Sequence, residues 1–385
     1  MAIDLAASEE VFATSIDCTV GIEEEFAVLD AASLDMVPRF EELRDIAVAE
    51  DPTLAEAIAG ELISSEIEIR SGRAEDVHDA LRRQRDMRAR LFGLAESCGI
   101  ALGATGTHPW ADYREQRNID TEHYRRVVDG LRYVARRNNT FSLHVHVGAH
   151  ELDRAVRACD RLRPVLPLLL ALSANSPFLD ARDSGLHSAR SQAFTKSFPR
   201  CGIPDAYGSW EAYREYVDFL VRTNSIVEYT QVWWSIRPHF AFGTVEVRIC
   251  DAQPTAVEAE ALAGLIVATV LQAARDEDER VPFSNPAPRL VEENFWRAIR
   301  YGLEGRLIDL DRAEEFPAAE AADRLLAWTA PVRSELGIEP VFPEQNGTQR
   351  QRAMTEAGAT LHEAYGAVVE ETRRTYAPST EVEAG

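Results

Sequence analysis

Four short stretches of the chain carry charged or imidazole side chains at every second position. Gly21-Ile22-Glu23-Glu24-Glu25-Phe26 spaces Glu23 and Glu25 this way, and Ser65-Glu66-Ile67-Glu68-Ile69-Arg70 does the same for Glu66, Glu68 and Arg70. Leu143-His144-Val145-His146-Val147-Gly148 carries two histidines, and Thr244-Val245-Glu246-Val247-Arg248 carries Glu246 and Arg248. In an extended strand, residues two apart point to one face. Each stretch therefore offers one polar face, and Glu24 falls opposite its two neighbours. Taken singly, each reads as the wet face of a half-buried antiparallel sheet, with His-x-His as a hydrogen-bonded pair and Glu-x-Arg as a local ion pair. Taken together, they crowd like charges on one sheet, which destabilises it unless something positive sits among them. Arginines supply part of that charge and divalent cations the rest. Carboxylates with histidine and without cysteine suit Mg²⁺ or Mn²⁺, and magnesium commonly completes its shell with substrate phosphates.

The usual phosphate-binding devices are absent. There is no Gly-x-x-x-x-Gly-Lys-Ser/Thr, no strand-borne Gly-x-Gly-x-x-Gly and no Gly-x-Ser-x-Gly elbow. Any bound phosphate must be held by metal ions and arginines, with Arg190, Arg237, Arg248, Arg297 and Arg300 as candidates. Lys196 is the only lysine, so it is the sole lysine open to a mechanism.

The elements that must position these groups follow from periodicity. Strands are expected over Thr19–Asp30, Glu61–Arg70, Gly99–Gly106, Phe141–Val147, Tyr229–Arg237 and Thr244–Ile249. Helices are expected over Ala74–Cys98, Asp120–Arg137, Leu152–Ala174, Trp210–Arg222, Val257–Ala274, Val291–Leu303, Ala318–Leu336 and Arg350–Thr375. Asp180–Gly208 is rich in Arg, Ser, Gly and Pro without strong period, and a connection that long commonly serves a site. The strands alternate apolar with charged residues, the mark of an antiparallel sheet with one covered face. The expected class is α+β. No repeat or linker is visible, so residues 1–18 read as a leader or short helix, 19–376 as one domain and 377–385 as a flexible tail.

The 385 residues carry a net charge of −23, which repels nucleic acid. Cys18, Cys98, Cys159, Cys201 and Cys250 are odd in number and far apart, which fits reduced thiols in a cytoplasm. The segment Met1–Phe12 lacks the basic start and apolar core of a signal peptide. The apolar run Val165–Ala174 is interrupted by Pro167 and is too short to span a bilayer. No membrane partner is expected, and self-association is left open.

Several motifs, in order, resemble a known family. They are Gly21–Phe26, the Thr107-His108-Pro109 turn, His144–Gly148, Ser176-Pro177-Phe178, Trp234-Ser235-Ile236-Arg237-Pro238, Thr244–Arg248 and Trp296–Gly302, with weaker support at Gly347–Arg352. The series resembles the bacterial carboxylate–amine ligases of the glutamate–cysteine ligase type 2 family over about residues 19–305. The resemblance implies a curved antiparallel sheet forming a funnel, with helices packed outside, as in the catalytic domain of glutamine synthetase. It also implies an ATP-dependent reaction through an acyl phosphate, joining a glutamate-like carboxylate to an amino acid or amine such as cysteine. Carried over residue by residue, Glu23, Glu25, Glu61, Glu68, His144 and Glu246 would be metal ligands. Arg248 and Arg190 would serve catalysis, and Arg237, Arg297, Arg300 and His146 would hold the cofactor. After Glu68 the chain reads Ile69-Arg70-Ser71-Gly72, where the better-known ligases favour a Thr-Pro turn, so a different amine remains an alternative. Two readings from other classes stay open: a metal-dependent hydrolase or oxygenase using His144, His146 and a glutamate on a β-barrel, and a non-catalytic scaffold.

Overall fold

The computed structural model describes residues 5–377; residues 1–4 of the expected leader and 378–385 of the expected tail lie outside them. Seven strands form the main sheet: β1 (Val20–Asp30), β2 (Ile58–Ala59), β3 (Glu66–Arg70), β4 (Ile100–Gly103), β5 (Ser142–Gly148), β6 (Ile236–His239) and β7 (Thr244–Asp251). Their order is β6-β7-β5-β1-β3-β2, with β4 pairing the far half of β1, and every pairing is antiparallel. Among the described residues no ladder joins β6 to β2, so the sheet is not a closed barrel. That removes the scaffold on which the hydrolase reading rested.

One face of the sheet is covered. Ile22, Leu143, Val145, Val147, Val245, Val247 and Ile249 pack in one buried cluster with the helices Leu152–Leu162, Leu166–Ser173 and Ala256–Asp278. Phe26, Val28, Ile67 and Ile69 pack in a second cluster with the helix Val77–Ser97. This is the alternation read from sequence, converted into burial. Ala256–Asp278 is long and apolar enough to cross a membrane by composition, but 83% of its most apolar window is buried, and it serves as a core helix. In the stretch read as a leader, Leu5–Ala13 is helical and Phe12 joins the main core. All five cysteines are free thiols.

Several boundaries differ from expectation for local reasons. Glu61–Arg70 is not one strand, because only Glu66–Arg70 pairs with β1 and Glu61 sits in the turn before it. Asp120–Arg137 breaks at Arg132, whose φ is 51°. Leu152–Ala174 splits near Pro164, which has no N–H to continue the helix. Arg350–Thr375 divides around Gly358, whose φ of 104° suits only glycine. Tyr229–Arg237 holds a 3₁₀ turn and two short strands, Trp233–Trp234 and Ile236–His239. The helix Phe40–Glu50 was not expected.

Candidate active site

The open face of the sheet lines a cavity of about 390 Å³. Strand pairing sets its floor. Glu246 lies opposite His146, Glu23 opposite His144 and Arg70, and Glu25 opposite Glu68. β6 adds Arg237 opposite Glu246. Period two brings these residues together, and register decides which of them meet.

Glu23 is the centre. One oxygen is 3.3 Å from His144 Nδ1, and the other is 3.5 Å from His146 Nε2 and 3.8 Å from Arg70. Two sets of ligand atoms, Glu23–Glu68–His144 and Glu23–His146–Glu246, each lie within 4.8 Å of one another. Glu25 accepts hydrogen bonds from the Ser142 N–H and hydroxyl, both at 2.6 Å. His144 Nε2 lies 2.8 Å from the same hydroxyl. Glu246 accepts from Arg237 Nε at 2.6 Å and pairs with Arg248. Arg190, from the long Asp180–Gly208 stretch, also reaches the cavity wall.

The carboxylates divide electrically. Burial raises the affinity of Glu246 for a proton, but Arg237 and Arg248 override it and hold the group well below the usual carboxylate range. The two histidines do the same for Glu23 against its burial. On the β2–β3 side the balance reverses. Burial, then the charge of Glu25, pushes Glu61 up to about 8. Burial followed by neighbouring glutamates pushes Glu66 and Glu68 well above the normal range, and Arg70 does not compensate for Glu68. Burial and then Arg248 lower His144, and burial drives His239 down to about 3. Seven glutamates and four arginines line the cavity among the described residues, so the acids cannot all ionise there without added positive charge. Glu66 Oε2 and His146 Nε2 are buried without a hydrogen-bond partner. A carboxylate and imidazole set crowded in this way, with a buried Glu66 oxygen lacking any donor, fits a hard divalent cation.

A second, more apolar cavity of about 340 Å³ adjoins the first, and Glu23, Arg70, His146 and Phe242 line both.

Of the residues anticipated from sequence, Glu23, Glu25, Glu61, Glu68, His144, His146, Arg190, Arg237, Glu246 and Arg248 line the cavity. Arg297 and Arg300 do not. They sit on the helix Pro288–Tyr301, whose inner face of Val291, Phe295, Ala298 and Ile299 is buried. Arg297 bonds to Glu315 and the Arg306 carbonyl, and Arg300 to the Gly185 carbonyl. The motif that contained them marks a packed helix rather than a phosphate clamp. Sequence reasoning left unassigned Glu66, Arg70, Ser142 and His239, all on the cavity side of the strands by the same period. It also missed His123 and Glu228, which meet at 2.7 Å across the cavity rim from a helix and a loop distant in sequence.

The model of Glutamate-cysteine ligase family 2 (GCS2) matches residues 19–371. The chain belongs to this family. A relative in Solibacter usitatus with the provisional name glutamate–cysteine ligase 2 is 37% identical over 361 residues, covering 92% of this chain and 93% of the relative. Another in Rubrobacter xylanophilus, of similar provisional name (2-1), is 36% identical over 363 residues, covering 92% and 95%. Among solved structures, this family member superposes on a Francisella tularensis glutamate–cysteine ligase in complex with AMP with a TM-score of 0.70, covering 95% of this chain and 90% of that one at 13% identity. It superposes on a bifunctional glutathione synthetase from Pasteurella multocida with a TM-score of 0.69, covering 96% and 54% at 14% identity. At these identities the superpositions establish the shared fold: helices packed against an antiparallel sheet.

Proposed function

We propose that this family member is an ATP-dependent carboxylate–amine ligase that uses Mg²⁺ or Mn²⁺, with residues 19–376 as its catalytic unit and a γ-glutamyl amide as product. The observation that carries the reading is Glu23, one carboxylate shared by two carboxylate–imidazole clusters and paired with Arg70. Family membership, and relatives named as glutamate–cysteine ligases, support it.

Glu23, Glu68 and His144 would hold one cation, and Glu23, His146 and Glu246 another. Bound there, the metal would supply Lewis-acid charge to phosphate oxygens. Arg237 and Arg248 fix the Glu246 carboxylate from two sides, so its direction is set before substrate arrives. Ser142 does the same for Glu25 with two donors. Arg190 presents an N–H to the anionic substrates. The adjoining apolar cavity gives the nucleotide base a surface to bury. In the proposed reaction a carboxylate oxygen of the substrate attacks the γ-phosphorus of ATP and ADP leaves. The amine nitrogen then attacks the acyl phosphate, phosphate leaves, and the nitrogen loses a proton.

The test is a screen of amino acids and amines for ADP release with Mg-ATP and glutamate, with mass spectrometry of the products. Release that requires magnesium, glutamate and an amine, with a glutamyl amide formed, is the expected result. No release across the screen, together with no rise in melting temperature with magnesium and a nonhydrolysable ATP analogue, overturns the reading.

A further inference from the structure

Just beyond the helix Leu166–Ser173 lies Ser176-Pro177-Phe178, a motif the site does not use. Its function becomes visible behind Arg190. Asp251, the last residue of β7, is 0% exposed and absent from the cavity wall. It accepts hydrogen bonds from the Ser176 hydroxyl at 2.6 Å, the Ser188 hydroxyl at 2.8 Å and the Asn175 N–H at 2.9 Å. Its remaining charge faces Arg190 Nη1 at 3.8 Å. The Arg190 N–H in turn donates to the Ser176 hydroxyl at 3.2 Å.

The location of Asp251 is abnormal for a strand. In β7 the odd positions Val245, Val247 and Ile249 face the apolar core, and period two would send residue 251 after them. The pairing with β5 shifts between Val247 and Cys250, so that Cys250 lies opposite Leu143 and Asp251 opposite Ser142. One extra residue in β7 exchanges its faces. Cys250 goes to the core, and Asp251 comes to the side of Ser142. The same bulge frees the carbonyls of Arg248 and Ile249, which accept from the Arg190 guanidinium at 3.2 and 3.1 Å. Arg190 is thus tied at both terminal nitrogens and at its backbone. Its Nε, buried and without a partner, is the donor left over. Space around the hub is tight, since a Cβ on Gly106 would meet the Asp251 carboxylate at 2.7 Å.

We propose that Asp251 is a positioning residue for the reaction: with Ser176 and Ser188 it holds Arg190 so that the Nε–H is presented to an anionic group of the substrates. The activity part of this inference rests on the ligase reading; the geometric part does not.

The test is a double-mutant cycle on ADP release. Arg190→Gln is expected to lower kcat/KM about a hundredfold, as loss of one preorganised donor does. Asp251→Asn, which misplaces the donor, is expected to lower it on the order of tenfold. The double variant should be no worse than Arg190→Gln alone, because Asp251 acts through Arg190. Effects that multiply overturn the proposal and leave Asp251 as a structural acid. If Asp251→Asn does not fold, Ser188→Ala removes one donor to the carboxylate and is read by the same cycle. The Arg190 Nε–H resonance, identified by its loss in Arg190→Gln, gives a readout free of activity. Its hydrogen exchange should quicken on the order of tenfold in Asp251→Asn or Ser188→Ala. Unchanged exchange overturns the proposal. An absence of wild-type turnover would count against the ligase reading alone, and the exchange measurement would still decide the role of Asp251.

Discussion

The two faces of β1 carry three consecutive glutamates in opposite conditions. Glu24 points into the helical layer. There it accepts two hydrogen bonds from Arg88, at 2.7 and 2.8 Å, and one from Gln84 at 2.7 Å. Arg88 is itself 1% exposed and stacks on the Tyr376 ring. This carboxylate is matched and closed. Glu23 and Glu25, one residue to either side, face a cavity where acids outnumber arginines and a buried Glu66 oxygen lacks a donor. One face of β1 closes a single carboxylate with an arginine, while the other crowds several acids into one cavity with a donor set that suits a cation. The histidines repeat the contrast. His108 lies against the Leu34 carbonyl through Nε2 at 2.8 Å, and its Nδ1 accepts from the Ala111 N–H at 3.0 Å. His146 keeps an unpartnered Nε2 beside Glu23.

The comparison is most exposed at Glu23. Glu23→Gln takes a ligand from both clusters, and turnover is expected to fall at least a thousandfold, about 4 kcal/mol of barrier. The melting-temperature rise with magnesium should disappear while circular dichroism stays native. Normal turnover in this variant would dissolve the metal assignment. Glu24→Gln should do the reverse. It leaves the buried Arg88 with Glu260 as its one remaining carboxylate partner and costs about 3 kcal/mol in denaturant unfolding, yet leaves turnover per folded molecule near wild type. Lost turnover there would erase the distinction between the faces. Arg248→Lys replaces a planar fork with a point charge against Glu246, and a fall of 10- to 100-fold, up to about 2.7 kcal/mol, is expected. An unchanged rate removes Arg248 from the site.

The smallest effect belongs to the closed histidine. Burial holds His108 down to about 4. The folded protein therefore keeps it neutral while the unfolded chain protonates it near its ordinary value, and stability drops as pH falls below that value. About 1 kcal/mol should vanish between pH 7 and pH 5.5 from this residue. His108→Gln, compared with wild type by chemical unfolding at both pH values, should lack that increment. An identical pH slope would show that His108 is not closed as described.

Period two is a local signal, and it made the sheet and most of its cavity face legible: Glu23, Glu25, Glu68, His144, His146, Glu246, Arg237 and Arg248 all point where alternation sends them. It fails wherever the decisive contact is distant. Nothing near Glu24 announces Arg88, and nothing near His123 announces Glu228. Glu61 reaches the cavity from a turn, so the strand expected for it was wrong although its destination was right. Arg297 and Arg300 looked like a phosphate clamp because arginines on a helix surface and arginines in a site have the same local spacing. Asp251 was hidden by the extra residue of β7: alternation breaks at Ile249-Cys250-Asp251, but only the shift against β5 shows which face each side chain takes.

That extra residue has a consequence for tolerance to change in chain length. Surface loops of this protein can absorb insertions at modest cost. Between Arg248 and Cys250 a single deletion would remove the bulge and leave Cys250 opposite Leu143 and Asp251 opposite Ser142, but it would take away the Ile249 carbonyl that holds the Arg190 guanidinium. The length of β7 at this point is therefore set by the anchoring of Arg190 rather than by the pairing with β5.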